Sequence, residues 1–129
     1  MYNATVKDHF LNPRNVGELE DPDASGEASN PSDGDRVQVQ LRIKDGHVSD
    51  VRIRVMGCVA AIAAASCLSE MVIGKSPAEA ASISKSDLVE KLGGLPEQKI
   101  KCSLTCIDAL HSALKIEAPR RKRRGIFDL

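Results

Sequence analysis

The chain has 129 residues, of which 42% are hydrophobic and 28% are charged, and its formal net charge is zero. This length provides one compact domain with its own core and is too short for two comfortable ones. Five consecutive basic residues at positions 120–124 mean that the rest of the chain carries a net charge of −5. A mildly acidic body with one Tyr, two Phe and no Trp argues against a nucleic-acid-binding domain, which needs a basic surface or stacking aromatics.

The sequence predicts neither an exported nor a membrane-spanning protein. Met1 to Phe10 is polar and lacks the apolar core of a signal peptide. The longest apolar stretch, Val55 to Leu68, falls short of the roughly 20 residues that span a bilayer. We therefore expect a cytoplasmic protein, in which the four cysteines bind metal, act chemically or are buried rather than pair as disulfides.

The N-terminal third combines one short helix with a turn-rich segment. A helix is predicted over Tyr2 to Leu11, where Asn12-Pro13 ends it. The segment 17–34 is dense in Pro, Gly, Ser, Asp and Glu, so it is predicted to be mostly loop, with room for a short edge strand.

Two strands with alternating apolar residues follow, over residues 37–43 and 51–55. A two-residue hairpin loop would place Leu41 opposite Asp50 and mix the apolar and polar faces. A three-residue loop that puts Val39 opposite Val51 keeps the faces matched, so we expect the second register. This register also brings Asp35 close to the end of the second strand.

The remainder of the chain is predicted to be helical. Helices are expected over residues 58–73, from residue 76 onward, over residues 86–92 and over residues 103–116. The fold class is therefore α+β, a single domain with a small antiparallel sheet covered on one face by helices. We expect this domain to occupy residues 1–118 and the basic residues 119–129 to form a flexible tail.

Chemically active side chains gather at one predicted end of the sheet. Asp33-Gly34-Asp35 lies just before the first of the two strands, and Cys58 lies just after the second, at the start of a helix. Free amides and the dipole at a helix N-terminus favour a thiolate, which binds metals and attacks sulfur. Cys102 stands just ahead of the last predicted helix, in the same electrostatic position, and Cys106 projects from the same face one turn on.

These patterns also have plainer interpretations. An isolated Cys-x-x-x-Cys on a helix also occurs in packing, and Asp-Gly-Asp is more often a solvated turn than a ligand. Cys67, within an apolar helix, is predicted to be a core residue. His9, His47 and His111 are interpreted as capping, turn and surface residues rather than ligands.

Four groups of residues together carry a resemblance to a known family. An N-terminal signature is matched at Tyr2, Val6 and residues 8–10 and 12–17. Three ligand motifs are matched at Pro31, Gly34 and Asp35, at Gly57-Cys58, residues 61–63 and Ser66, and at Lys99, residues 102–104 and residues 108–109. Over about residues 2–114 the chain thus resembles the U-type iron–sulfur scaffolds, the family of IscU and of the N-terminal domain of NifU.

The resemblance implies a three-stranded sheet with helices and a metal-cluster site at one end, in a protein that is not an enzyme. Such scaffolds take persulfide sulfur from a PLP-dependent cysteine desulfurase, take iron, build a [2Fe–2S] cluster and pass it to recipient apo-proteins. The family's three cysteine positions fall on Asp33, Cys58 and Cys102, and its ligand-region aspartate falls on Asp35. Zinc is a possible adventitious occupant of these ligands, and a homodimer that shares them is compatible with the resemblance.

The departures from the family pattern indicate a relocated ligand set. Asp33 replaces the first family cysteine, Lys101 replaces a histidine, and Cys106 replaces an alanine. One thiol is lost and one is gained, so we expect three thiolates, including that of Cys106, with Asp33 or Asp35 as the oxygen ligand. Soft thiolates hold Fe–S clusters firmly, whereas a harder carboxylate exchanges more readily, as a scaffold requires.

Partner predictions follow from the same residues. Cys102 is expected on an exposed turn beside Lys101, which would make it the most accessible thiolate and therefore the acceptor of persulfide sulfur. Residues 95–99 only partly match the Leu-Pro-Pro-Val-Lys segment that a dedicated Hsp70 chaperone reads, so that partner is not implied.

Two other functions stay open on the sequence alone. The chain could be a metal-free sulfur carrier or thiol enzyme that uses Cys102 and Cys106 as a redox pair. It could also be a structural zinc domain with a closed tetrahedral site built from Asp33, Cys58, Cys102 and Cys106.

Overall fold

The computed structural model of the chain describes residues 2–31 and 34–117. Its elements are α1 (Ala4–Leu11), β1 (Ala24–Asn30), β2 (Asp35–Lys44), β3 (His47–Met56), α2 (Val59–Val72), α3 (Pro77–Ala81), α4 (Lys85–Lys91) and α5 (Ile100–Glu117). The strands form one antiparallel sheet in the order β1-β2-β3. The predicted α+β class is confirmed. Asp33 and the predicted basic tail lie outside the described residues.

The helices pack on one face of this sheet because its apolar side chains alternate. Six apolar side chains of β2 and β3 belong to the core on that face and are at most 2% exposed: Val37, Val39, Leu41, Val48, Val51 and Ile53. Helices α2 and α5 cover them, and α1 packs on the far side of α2. Helix α2 is apolar nearly all round because it is buried on both sides. Within the described part of the chain, no helix is both long enough and apolar enough to cross a membrane.

Strand β1 is longer than the sequence predicted, since segment 17–34 contains seven residues paired with β2 rather than mostly loop. Helix α5 packs directly across β1, and Gly26 allows this approach. A Cβ at Gly26 would overlap the backbone of Ala113 and would lie 2.6 Å from the carbonyl oxygen of Ala109. The strand therefore forms through small residues and close backbone packing instead of an alternating apolar pattern.

The outer face of the sheet is covered by residues 17–23, which cross it from the β3 edge to β1. The backbone N–H of Leu19 donates to Oε1 of Gln40 at 2.7 Å, and Arg42 Nη2 donates to the carbonyl oxygen of Glu20 at 2.6 Å. As a result Gln38 and Gln40 are each only 8% exposed. Both faces of the middle strand are therefore buried.

The β2–β3 hairpin has a different register from the predicted one. Lys44 pairs with His47, so the loop has two residues, Asp45 and Gly46, with φ of 55° and 79°. Such left-handed pairs suit the tight turns that match strand twist. A bulge after Arg42 then shifts the pairing, and Val39 lies opposite Ile53 rather than Val51. The predicted three-residue loop is wrong because the bulge, not the loop length, restores the match of apolar faces.

Capping boxes set the starts of α3 and α4, whereas α5 starts in another way. Helix α3 has the predicted capping box of Ser76 and Glu79, and α4 has a second one, of Ser84 and Asp87, that places its start one residue before the predicted position. Helix α5 begins at Ile100, earlier than predicted, because a 3₁₀ turn over Glu97–Lys99 runs directly into it. Cys102 is consequently the third residue of α5 and does not lie on a turn ahead of it.

His9 joins α1 to α2 and is buried, contrary to its interpretation as a capping residue. Its Nδ1 shares a 2.8 Å hydrogen bond with Ser66 Oγ and lies 3.1 Å from Arg14 Nη1, while its Nε2 faces Glu70 at 3.7 Å. Burial, with the nearby Arg14 charge, lowers the pKa of His9 below its ordinary value. The fold therefore favours the neutral imidazole.

We expect the free energy of unfolding to fall as the pH drops below about 6.5, the ordinary pKa of histidine. The unfolded chain takes up a proton there that folded His9 resists, so stability is fully present above this pH and is lost below it. Urea titrations between pH 7.5 and 5.5 should show a smaller loss in His9→Gln than in the wild type, and His47→Gln on the exposed hairpin turn is the control. Equal losses in wild type and His9→Gln would contradict this account.

Candidate metal centre

Three potential ligands meet at one end of the sheet, each supplied by a different element. Asp35 begins β2, Cys58 is the N-cap of α2, and Cys102 lies in the first turn of α5. One ligand atom from each residue lies within 4.8 Å of the other two. The two sulfurs are 3.5 Å apart, and the Cys102 thiol donates to Asp35 Oδ2 at 3.3 Å. The backbone N–H of Cys58 donates to Asp35 Oδ1, also at 3.3 Å.

The hairpin register and a glycine bring these residues together. Arg36 pairs with Met56, so Asp35 lies beside Gly57 rather than near Val55, as the predicted register had it. A Cβ at Gly57 would overlap Oδ1 of Asp35. Gly57 is therefore part of the site, since only a residue without a side chain lets the carboxylate reach the start of α2. In the sequence, this role of Gly57 was indicated only by its position directly between an apolar strand and a cysteine.

The three ligands differ in their access to solvent. Asp35 is 1% exposed and Cys102 is fully buried, whereas Cys58 is partly exposed. Burial raises the pKa of the Cys102 thiol, and its hydrogen bonds with Cys58 and Asp35 raise it further. The expectation that Cys102 is the most accessible and most thiolate-like cysteine is wrong, because the helix starts earlier and carries this residue inward. Lys101, beside it, is exposed.

The other two cysteines lie deeper. Cys106, one turn along α5, is fully buried, and its thiol donates to the carbonyl oxygen of Ala61 at 3.7 Å. Burial raises the pKa of Cys106, and the charges of the ligand group formed by Cys102, Asp35 and Cys58 raise it further. Cys106 is not among the three residues whose ligand atoms converge. Cys67 is a core residue as predicted, 2% exposed, and burial raises its pKa to about 11.

Two thiols and one carboxylate suit iron or zinc. Both metals accept sulfur ligands, and an oxygen ligand makes the set less firmly binding than one composed only of thiolates. Three convergent ligands leave coordination positions for a further protein ligand, inorganic sulfide or solvent. Because binding requires deprotonated thiols, metal uptake must release the Cys102 proton.

Comparisons with known proteins agree with this geometry. The family model described as NifU-like N terminal domain matches residues 1–123. The iron-sulfur cluster assembly scaffold protein IscU 1 of Archaeoglobus fulgidus is 45% identical over 114 residues, which cover 88% of this chain and 74% of that protein. The iron-sulfur cluster assembly scaffold protein IscU of Escherichia coli K12 is 38% identical over 127 residues, which cover 95% of this chain and 98% of that protein.

Solved structures share the fold. A putative iron-sulfur cluster assembly scaffold protein for the SUF system from Fervidobacterium islandicum AW-1 superposes with a TM-score of 0.74 and covers 88% of this chain and 96% of that chain. A nitrogen-fixing NifU-like protein (N-terminal) from Brucella abortus superposes with a TM-score of 0.72, covering 92% and 94%. Each is 22% identical to this chain, so these likenesses support the three-stranded fold alone.

Proposed function

Since the chain belongs to the family of NifU-like N-terminal domains, we propose that it is a scaffold on which iron–sulfur clusters are assembled. The observation that carries the proposal is the convergence of Asp35, Cys58 and Cys102 at the end of the sheet. The chain receives sulfur from a cysteine desulfurase, takes iron, and delivers the finished cluster to apo-proteins. It turns over no substrate of its own, because the cluster is its cargo.

The proposed ligand set combines firm binding with release. Cys58 and Cys102 supply thiolates, and Asp35 supplies a harder oxygen that exchanges more readily. A [2Fe–2S] cluster takes four protein ligands, so one more is needed. We propose Cys106 for this position, which requires its thiol to leave the carbonyl oxygen of Ala61 when metal enters. Asp33 is the alternative fourth ligand.

Anaerobic reconstitution of the chain tests the function. With ferrous iron, cysteine and a cysteine desulfurase, the protein should turn brown and contain iron and acid-labile sulfide in equal amounts. A structural zinc domain would bind zinc tightly and yield no acid-labile sulfide. A metal-free thiol protein would acquire only persulfide sulfur. Zinc binding without iron does not distinguish the proposals, because the same ligands accept it.

The alternative thiol pair receives little support from the geometry. The thiol at 3.5 Å from Cys102 is that of Cys58, whereas Cys106 is directed to the backbone of α2. A closed structural zinc site is also disfavoured, since Cys58 keeps one side of the ligand group partly exposed. An open side suits a site that must accept and release cargo.

The substitution Cys106→Ala tests the fourth ligand. We expect a cluster yield lowered by about tenfold and a changed visible spectrum, because the cluster loses the Cys106 thiolate as a direct ligand. The fold should survive, since an alanine fits the packed position between α2 and α5. The measurement is visible absorption after reconstitution, with circular dichroism as the check on folding. An unchanged cluster at full yield would assign Cys106 to packing and the fourth position to Asp33 or solvent.

A further inference from the structure

We infer that sulfur enters this site at Cys58 and is relayed from there to Cys102, an inference that rests on the proposed scaffold function. Among Asp35, Cys58 and Cys102, the three convergent residues that the structure describes, Cys58 alone is partly exposed, and Cys102 is fully buried. A protein-bound or small-molecule persulfide must touch the sulfur that it loads. The folded chain presents Cys58 to such a donor and shields Cys102.

The spacing of the two sulfurs permits direct transfer. Cys58 Sγ and Cys102 Sγ are 3.5 Å apart. A persulfide on Cys58 carries its outer sulfur about 2 Å beyond Sγ, the length of an S–S bond. Rotation of the Cys58 side chain can therefore place that outer sulfur in contact with Cys102. Positioning of this kind replaces a collision between two molecules with a step inside one molecule.

The transfer is a thiol–persulfide exchange and needs no oxidant. The Cys102 sulfur attacks the outer sulfur of the Cys58 persulfide, so that a new S–S bond forms on Cys102 and the S–S bond on Cys58 breaks. The electron pair of the broken bond stays on Cys58 Sγ, which leaves as a thiolate. One thiol and one persulfide exchange places, and the transferred sulfur keeps its oxidation state.

Asp35 is placed to move the proton that this exchange requires. The Cys102 thiol already donates to Asp35 Oδ2, so the carboxylate can accept the proton as the sulfur attacks. The departing Cys58 thiolate then takes up a proton, and Asp35 returns to its starting state. The buried Cys102 persulfide is afterwards protected from thiols in solution and lies among the ligands that receive iron.

Time-resolved sulfur mapping tests the relay in the intact, metal-stripped chain. The protein is mixed anaerobically with glutathione persulfide, quenched with an alkylating agent and digested for peptide mass spectrometry. We expect the extra sulfur on Cys58 first and on Cys102 later. Cys102→Ser should accumulate sulfur on Cys58, and Cys58→Ser should load Cys102 at least about tenfold more slowly, because access then needs local opening of the fold. Cys67→Ala should behave as the wild type.

Two further measurements separate the relay from other routes. After the donor is removed, sulfur should continue to move from Cys58 to Cys102 at a rate independent of protein concentration. Asp35→Asn should slow this second step and leave the loading of Cys58 unchanged. Cys102 loading at the wild-type rate in Cys58→Ser, or before Cys58 in the wild type, would overturn the relay.

Reconstitution with ferrous iron and sodium sulfide distinguishes failure of the relay from failure of the scaffold function, because inorganic sulfide bypasses the persulfide. A wild-type chain that forms a cluster from sodium sulfide but shows no transfer from Cys58 to Cys102 would keep its function and lose the relay. A chain that transfers sulfur but forms no cluster would keep the relay and lose the scaffold function.

Discussion

Gly26→Ala is expected to destabilise the fold by about 3 kcal/mol or more, a large effect for the addition of one methyl group. The new Cβ would overlap the backbone of Ala113 and lie 2.6 Å from the carbonyl oxygen of Ala109. Backbone atoms of a long helix cannot move aside as a flexible side chain can. Helix α5 would have to shift away from β1, and packing along the whole contact would loosen.

Urea unfolding followed by circular dichroism measures this loss. Ser25→Ala is the matched control, because Ser25 Oγ is buried without a hydrogen-bond partner in the described part of the chain. Its removal should change the free energy of unfolding by no more than about 0.5 kcal/mol. A Gly26→Ala protein as stable as the control would show that α5 does not pack against β1 as closely as described.

Cys58→Ala and Cys102→Ala are each expected to lower the cluster yield by more than about tenfold. Each substitution removes one of the two cysteine sulfurs that converge with Asp35, and the remaining ligands cannot hold a cluster against exchange with solvent. Cys102→Ala also removes the hydrogen bond that the Cys102 thiol donates to Oδ2 of Asp35. Asp35 is only 1% exposed, so solvent cannot replace this bond. That variant should therefore also be less stable than Cys58→Ala.

Iron and acid-labile sulfide per chain after reconstitution measure the yield. Cys67→Ala is the control for loss of a buried cysteine, since Cys67 lies in the core away from the ligand group. It should lower stability and leave the cluster spectrum unchanged. If Cys58→Ala or Cys102→Ala assembled the wild-type amount of cluster, the ligand set would lie elsewhere.

Alternating apolar residues were sufficient to predict β2 and β3, because one face of each strand packs against the helices in the apolar core. The same pattern did not reveal the bulge after Arg42. The tight Asp45-Gly46 turn sets one strand register, the matching of apolar faces requires another, and the bulge shifts the pairing from the first to the second. The sequence predicted β1 only as a short edge strand within a loop, and the family resemblance added that the sheet has three strands. Its small residues show no alternating apolar pattern. The need for glycine at position 26 becomes evident only from the structure, in which the backbone of α5 lies against it.

The positions of Cys58 and Asp35 in the fold were predicted from the sequence more successfully than the position of Cys102. Cys58 was placed correctly at a helix start and Asp35 at the same end of the sheet, whereas Cys102 was predicted just ahead of α5 and lies in its first turn. The burial of Cys102 was missed because it depends on a 3₁₀ turn that continues into α5 without a capping residue. The closeness of Cys58 to Cys102 was predicted only through the family resemblance, because it results from the packing of α2 on α5, which no local pattern reveals.

In the proposed site the cluster is held by thiolates together with the carboxylate of Asp35. Mössbauer spectroscopy of the wild type reconstituted with ⁵⁷Fe detects this carboxylate ligand, because iron with an oxygen ligand differs electronically from iron with sulfur ligands only. We expect two inequivalent iron sites that become more alike in Asp35→Cys, with slower cluster transfer to an apo-ferredoxin. Two equivalent iron sites in the wild type would show that Asp35 is not a ligand, and iron without bridging sulfide would show that no cluster is assembled.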